Sequence, residues 1–96
     1  METGSSTMTA KRRDNNHAEI RDALREVYQV VDTADLGDGF PDLLVVSKAG
    51  NIVLLEIKVI GAKLTPDEVR FHEWFRGPLY VVHNTQEAFD VMESYN

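Results

Sequence analysis

Apolar side chains recur at helical spacing near both ends of the chain. In residues 16–27 the apolar positions follow the pattern i, i+3, i+4 and i+7, formed by Ile20, Ala23, Leu24 and Val27. This pattern predicts an amphipathic helix, with Asp14, Asn15 or Asn16 available as its N-cap. A second stripe predicts a last helix capped by Thr85, with an apolar face of Ala88, Val91, Met92 and Tyr95.

Apolar runs of strand length lie between these helices. Residues 28–32 are rich in β-forming types, residues 43–46 and 52–60 contain few polar positions, and residues 79–82 form another short run. Near-continuous apolar runs are typical of strands buried on both sides. We therefore expect a sheet covered on both faces.

A further helix start lies between the third and fourth strands. Thr65 can act as N-cap, Pro66 suits the first helical position, and Glu68 stands three residues after the cap. We expect this helix to run to about Arg76, before a glycine–proline pair, with its aromatic residues in the core rather than stacked on bases: Phe71, Trp74 and Phe75. The order α-β-β-β-α-β-α predicts an α/β fold with a mixed β-sheet flanked by helices.

Composition narrows the class of protein. The 96 residues suit one domain over residues 14–96, preceded by a flexible basic arm or leader over residues 1–13. The chain has no cysteine, which excludes disulfides and thiolate metal sites. No apolar run is long enough to cross a membrane, and no signal peptide is evident. A net charge of −6 argues mildly against a general binder of polyanions, although a metal site also requires acids.

Three charged residues stand out because they lie in or beside apolar runs. Asp42 follows Pro41 directly before one strand, while Glu56 and Lys58 lie within residues 52–60. Burying a charge is costly unless the charge is paired or binds a metal. These positions therefore indicate a divalent-metal site with a positioned lysine.

The loop between the two long strands predicts how the acids meet. A three-residue hairpin loop commonly combines a type I turn with a left-handed glycine, which residues 48–50 would provide through Gly50. Counting back along both strands then places Asp42 opposite Glu56, with Lys58 on the same face.

Two carboxylates this close repel each other, and one should keep a proton unless a cation lies between them. Carboxylate, carbonyl and water oxygens suit Mg²⁺ or Mn²⁺. The alternative is a buried salt bridge between Lys58 and either acid, which would leave the other acid unpaired.

These residues resemble the PD-(D/E)xK nuclease superfamily and, within it, the VRR-NUC (virus-type replication-repair nuclease) domain. The resemblance covers roughly residues 17–92 and is carried by three segments: Gly39-Phe40-Pro41-Asp42-Leu43, Glu56-Ile57-Lys58 and Leu64-Thr65-Pro66. It implies a restriction-endonuclease-like core and a helical acid upstream, which Glu19 would supply. Members commonly carry glutamine where this chain has Glu68, so this residue is interpreted as a capping-box acid first and a site residue second.

The resemblance also implies metal-dependent hydrolysis of phosphodiesters. Asp42, Glu56 and the Ile57 carbonyl would hold Mg²⁺ or Mn²⁺, and Glu19 would reach the ion directly or through water. The ion would polarise the phosphate and activate water, while Lys58 would orient that water and offset developing charge. Without the resemblance, Glu19 is equally well explained as a solvated acid near Arg21 or Arg25.

Stand-alone members resemble Holliday-junction resolvases. We therefore expect a homodimeric, structure-selective DNA nuclease in the cytoplasm of a bacterial or phage-infected cell, acting on branched DNA. The expected DNA contacts are basic residues, namely Lys63, Arg70, Lys11, Arg12 and Arg13. The three histidines lack a metal-ligand spacing and are interpreted as surface or core-edge residues, with His17 weighted most. The alternatives are a non-catalytic nucleic-acid-binding module of the same fold, or a structural α/β domain with a buried ion pair.

Overall fold

A computed structural model describes residues 16–96. The elements are α1 (residues 16–25), β1 (Gln29–Asp32), β2 (Leu43–Val46), β3 (Ile52–Ile57), α2 (Pro66–Trp74), β4 (Leu79–Val82) and α3 (Thr85–Glu93). The predicted element order is confirmed. The basic arm, with Lys11, Arg12 and Arg13, and the cap positions 14 and 15 lie outside the described residues.

The four strands form one mixed sheet in the order β1-β2-β3-β4. β1 pairs with β2, and β2 with β3, in antiparallel fashion, whereas β3 and β4 are parallel. A parallel pair needs a crossover connection, and α2 lies within it. The predicted mixed sheet flanked by helices is therefore confirmed.

The hairpin between β2 and β3 has the predicted three-residue loop. The Ser47 amide donates to the Asn51 carbonyl (2.8 Å), the Gly50 amide donates to the Ser47 carbonyl (2.9 Å), and Gly50 has a φ of 88°. Leu43 consequently pairs with Leu55. This register is confirmed, and its next position brings residue 42 opposite residue 56.

The hydrophobic core lies on one face of the sheet. Its strand residues alternate with those of the opposite face, which carries Glu56, and they pack against α1 and α3. The fully buried members are Ile20, Leu24, Leu43, Val45, Val53, Leu55, Val82, Ala88 and Met92. Burying each of the larger of these side chains stabilises the fold by about 1.5–3 kcal/mol, so this face provides most of the packing energy.

The opposite face is covered only in part. Leu54 and Glu56 are buried there, but Ile52 and Val81 are exposed, and α2 has no buried residue. The expectation of a sheet covered on both sides therefore holds for β3 alone. β2 instead alternates between buried and half-buried positions.

Four local expectations were wrong. Trp74 is 72% exposed rather than in the core, because the aromatic rings of α2 pack on one another beside the sheet, with Phe71 and Phe75 stacked at 5.5 Å. α2 ends at Trp74, before Arg76, and β3 ends at Ile57. Asn84 rather than its neighbour caps α3, because its side chain accepts a hydrogen bond from the Glu87 amide (2.8 Å).

Within residues 16–96, no helix has the length and apolar character needed to span a membrane.

Two glycines of one loop provide a matched test of how α2 docks. Gly37 and Gly39 have almost the same left-handed φ, 79° and 80°, but only at Gly39 would a β-carbon overlap the Asp67 carbonyl at the start of α2. We predict that Gly37→Ala lowers the free energy of unfolding by about 1–2 kcal/mol from backbone strain alone. Gly39→Ala should lower it by at least about 2 kcal/mol more, because backbone atoms must move. Urea denaturation measures both, and equal losses would contradict the close approach.

Candidate active site

Hydrogen bonds hold both the side chain and the backbone of Asp42. Its carboxylate oxygen Oδ2 accepts a hydrogen bond from the Ile57 amide (2.8 Å), and its backbone carbonyl accepts one from the Thr33 amide (2.8 Å). The Thr33 hydroxyl in turn donates to the Pro41 carbonyl (2.7 Å). The hairpin register thus determines where the Asp42 carboxylate points, because the donor belongs to the partner strand.

Glu56 is a buried acid that has an unsatisfied oxygen. The residue is 2% exposed, and its Oε1 has no hydrogen-bond partner. Burial, reinforced by repulsion from the Asp42 carboxylate, raises the pKa of Glu56 to about 9. Without a cation, this carboxyl group therefore keeps its proton at neutral pH, as expected for two acids placed side by side.

Lys58 forms its salt bridge with a third acid, Glu68, and not with Asp42 or Glu56. Its Nζ lies 2.7 Å from Glu68 Oε1, and the two side chains are 11% and 18% exposed. Glu68 also completes the predicted capping box with Thr65. Although burial raises the pKa of Glu68, hydrogen bonds from Lys58 and Thr65 outweigh it and lower the pKa overall. A buried salt bridge between Lys58 and Asp42 or Glu56 is therefore not what the structure shows.

An open cleft of about 960 Å³ brings these elements together. Asp42, Ile57 and Lys58 line it from the sheet, and Lys63 and Thr65 line it from the segment before α2. The start of α1 forms the other wall. The cleft is therefore lined by Asp42, by Lys58 and by one of the basic residues expected to contact DNA, whereas the buried Glu56 is not among the residues that line it.

A second charged cluster in this cleft was not expected from the sequence. His17 Nε2 lies 3.0 Å from Asp32 Oδ2, and Arg21 Nη1 donates to the same oxygen at 3.0 Å. Burial raises the pKa of Asp32, but hydrogen bonds from Arg21 and His17 outweigh it and bring the pKa to about 2. Pairing β1 with β2 would have brought Asp32 close to the site, because Asp32 pairs with Leu43, the residue after Asp42.

Of the other predicted site residues, one lines the cleft and two do not. Lys63 lines the cleft, whereas Arg70 is exposed on α2 and forms an ion pair with Asp67. Glu19 is exposed on α1 and is not among the residues that line the cleft. Its predicted contact with an ion remains a prediction.

The acids of the site fit a divalent cation only with help from other oxygen donors. Among the described residues, no group of three or more acidic or histidine side chains lies close enough to hold a metal ion. The site offers two carboxylates, and the buried Oε1 of Glu56 is an oxygen ligand without a partner. Because Mg²⁺ commonly binds through one or two carboxylates and keeps several waters, this donor set suits it.

Comparison with known proteins identifies the family to which the chain belongs. No family model matches the chain, and no curated protein does. A solved structure described as "VRR_NUC domain" is 30% identical, with a TM-score of 0.63, and the match covers 90% of this chain and 96% of that chain. The mixed sheet is thus a restriction-endonuclease-like fold, and the match indicates a nuclease-type domain. The chain belongs to the VRR-NUC family.

The raised pKa of Glu56 predicts a pH-dependent stability in the absence of metal. In the unfolded chain Glu56 loses its proton near the ordinary pKa of 4.5, whereas the folded protein keeps it up to about 9. Stability should therefore fall as pH rises between these values, by up to about 1 kcal/mol per pH unit from Glu56. Denaturation in EDTA at pH 6, 7 and 8 measures this slope.

The neutral variant Glu56→Gln is the matched control. It should show a flatter pH dependence over the same range, because glutamine has no proton to lose. The same slope in Glu56→Gln and wild type would show that Glu56 is not protonated in the folded protein.

Proposed function

We propose that this chain is a metal-dependent deoxyribonuclease that hydrolyses phosphodiester bonds. The observation that carries the proposal is the pairing of Asp42 with the buried, unsatisfied Glu56 beside Lys58 and an open cleft, in a member of the VRR-NUC family. A structural role alone would leave the burial of Glu56 unexplained, because burying one acid against a second carboxylate destabilises a fold unless a proton or a cation lies between them.

Asp42, Glu56 and the Ile57 carbonyl would hold Mg²⁺ or Mn²⁺. When bound, the ion supplies Lewis-acid polarisation of the scissile phosphate and activation of water. Since one oxygen of Asp42 is already bonded to the Ile57 amide, the aspartate is oriented before any ion arrives. For Glu19, an exposed residue of α1, we propose a contribution through water.

Lys58 would act on the water and on the phosphate. Lys58 lines the cleft, and its ammonium group would orient the attacking water by hydrogen bonding and offset negative charge on the phosphoryl oxygens. The interaction is strongest where solvent is partly excluded, and the Lys58 side chain is only 11% exposed.

The DNA would lie along the cleft, where Lys63 can contact the backbone. Because the net charge is −6, attraction to DNA must come from local basic residues and from the bound ion rather than from the whole surface. We propose a preference for branched DNA, met by a symmetric homodimer that presents two sites.

The catalytic proposal predicts metal-dependent cleavage that the site variants lose. Branched, flapped and linear DNA would each be incubated with wild type in Mg²⁺, in Mn²⁺ and in EDTA. Glu56→Gln and Lys58→Ala should each lower the cleavage rate by about 10²–10³-fold, because each removes a group that stabilises the transition state. Cleavage is measured on gels that map cut positions to the nucleotide.

Glu93→Gln, an exposed change on α3, is the matched control and should cut like wild type. Cleavage in EDTA, or full activity of Glu56→Gln, would contradict the metal mechanism. Binding of branched DNA by a wild-type protein that never cuts would instead support the non-catalytic module.

The dimer proposal is tested by light scattering. We expect twice the monomer mass of 10.9 kDa at micromolar concentration, because one small domain offers little surface for gripping a four-way junction. A mass of one chain under conditions in which the protein cuts junctions would overturn the dimer and leave the chemistry intact.

A further inference from the structure

One carboxylate oxygen of Glu68 serves two partners. Oε1 accepts a hydrogen bond from the Thr65 amide (2.9 Å) and lies 2.7 Å from Lys58 Nζ. The Glu68 amide donates a hydrogen bond to the Thr65 hydroxyl (3.2 Å), which completes the capping box. The capping box of α2 and the environment of Lys58 therefore depend on the same side chain.

The beginning of α2 also contacts the other half of the motif. Gly39 approaches the Asp67 carbonyl so closely that a β-carbon would not fit, and the rings of Phe40 and Phe71 meet edge to face at 5.1 Å. Since Phe40 stands two residues before Asp42, α2 packs against the loop that carries the aspartate. A single helix thus contacts both stretches that form the site.

Lys58 needs such a partner because only its backbone is held by the sheet. Its amide donates to the Val82 carbonyl (3.0 Å), which continues the β3–β4 pairing past the end of β3. The side chain beyond it is a flexible four-carbon stem with a rotatable ammonium group. A charge-assisted hydrogen bond in a mostly buried position can hold that group in one place.

We propose that Glu68 is a positioning residue that holds the Lys58 ammonium in one place and ties it to the first turn of α2. The inference rests on the proposed role of Lys58 in cleavage. A helix cap alone does not require contact with Lys58, and the 2.7 Å separation of Nζ from Oε1 is what distinguishes the two roles.

The first experiment observes the ammonium group directly and needs no activity. In NMR spectra of ¹⁵N-labelled protein at low temperature, a lysine ammonium that is buried and hydrogen-bonded exchanges its protons slowly, and exposed Lys48 and Lys63 serve as internal references. Glu68→Ala should speed exchange at Lys58 by at least about tenfold, whereas Glu68→Gln, which keeps the acceptor oxygen, should retain most of the protection.

A matched variant separates positioning from the loss of a helix cap. Asn84→Ala removes the cap of α3, whose side chain accepts from the Glu87 amide, and it leaves Lys58 and Glu68 untouched. Its melting temperature should fall about as much as that of Glu68→Ala, while Lys58 exchange stays at the wild-type rate. If Glu68→Ala folds poorly, Glu68→Asp keeps an acid at the third helical position but withdraws it from Lys58, and should give the same fast exchange.

Turnover gives the second readout. Glu68→Ala should lower kcat by at least about tenfold with KM little changed, Glu68→Gln should restore most of it, and Asn84→Ala should match wild type. Exchange and kcat in Glu68→Ala that equal those of Asn84→Ala would overturn the proposal. Fast Lys58 exchange in Glu68→Ala, together with a wild type that cuts no DNA, would uphold the positioning and refute the nuclease function instead.

Discussion

The adjacency of two carboxyl groups on one face of the sheet is the constraint on which the site depends. Asp42 is oriented by the Ile57 amide, and Glu56 is buried beside it with one oxygen unpaired. Both placements follow from the register of one hairpin, since a slip by one residue would send one acid to the opposite face. The fold thereby keeps two mutually repelling groups together, an arrangement that a proton stabilises in the free protein and that a divalent cation would stabilise in our proposal.

Local signals in the sequence predicted the parts of the structure that local chemistry determines. The left-handed Gly50 and the apolar runs were enough to predict the β2–β3 register. The Thr65–Glu68 capping box was enough to predict where α2 starts. Docking between distant elements was not predictable in this way. No sequence spacing shows that Glu68 reaches Lys58, or that Trp74 lies exposed, because both depend on where α2 rests against a sheet only four strands wide.

The wall of the cleft formed by α1 illustrates the same limit. The family resemblance implied a site acid on this helix. The structure places Glu19 at an exposed position, whereas His17 and Arg21 line the cleft and both contact Asp32. Helical periodicity identifies the apolar side of α1, but it does not tell which flank turns toward the neighbouring strand. The cleft consequently contains more basic groups near the acids than the chain's net charge of −6 suggests.

Paramagnetic NMR with Mn²⁺ tests the central claim most directly, because the ion broadens the signals of nuclei near its binding site. Substoichiometric Mn²⁺ should broaden the amide signals of Asp42, Glu56 and Ile57 first, and excess Mg²⁺ should restore them. Broadening confined to exposed acids such as Asp35 and Asp38, with those three amides unaffected, would contradict the account.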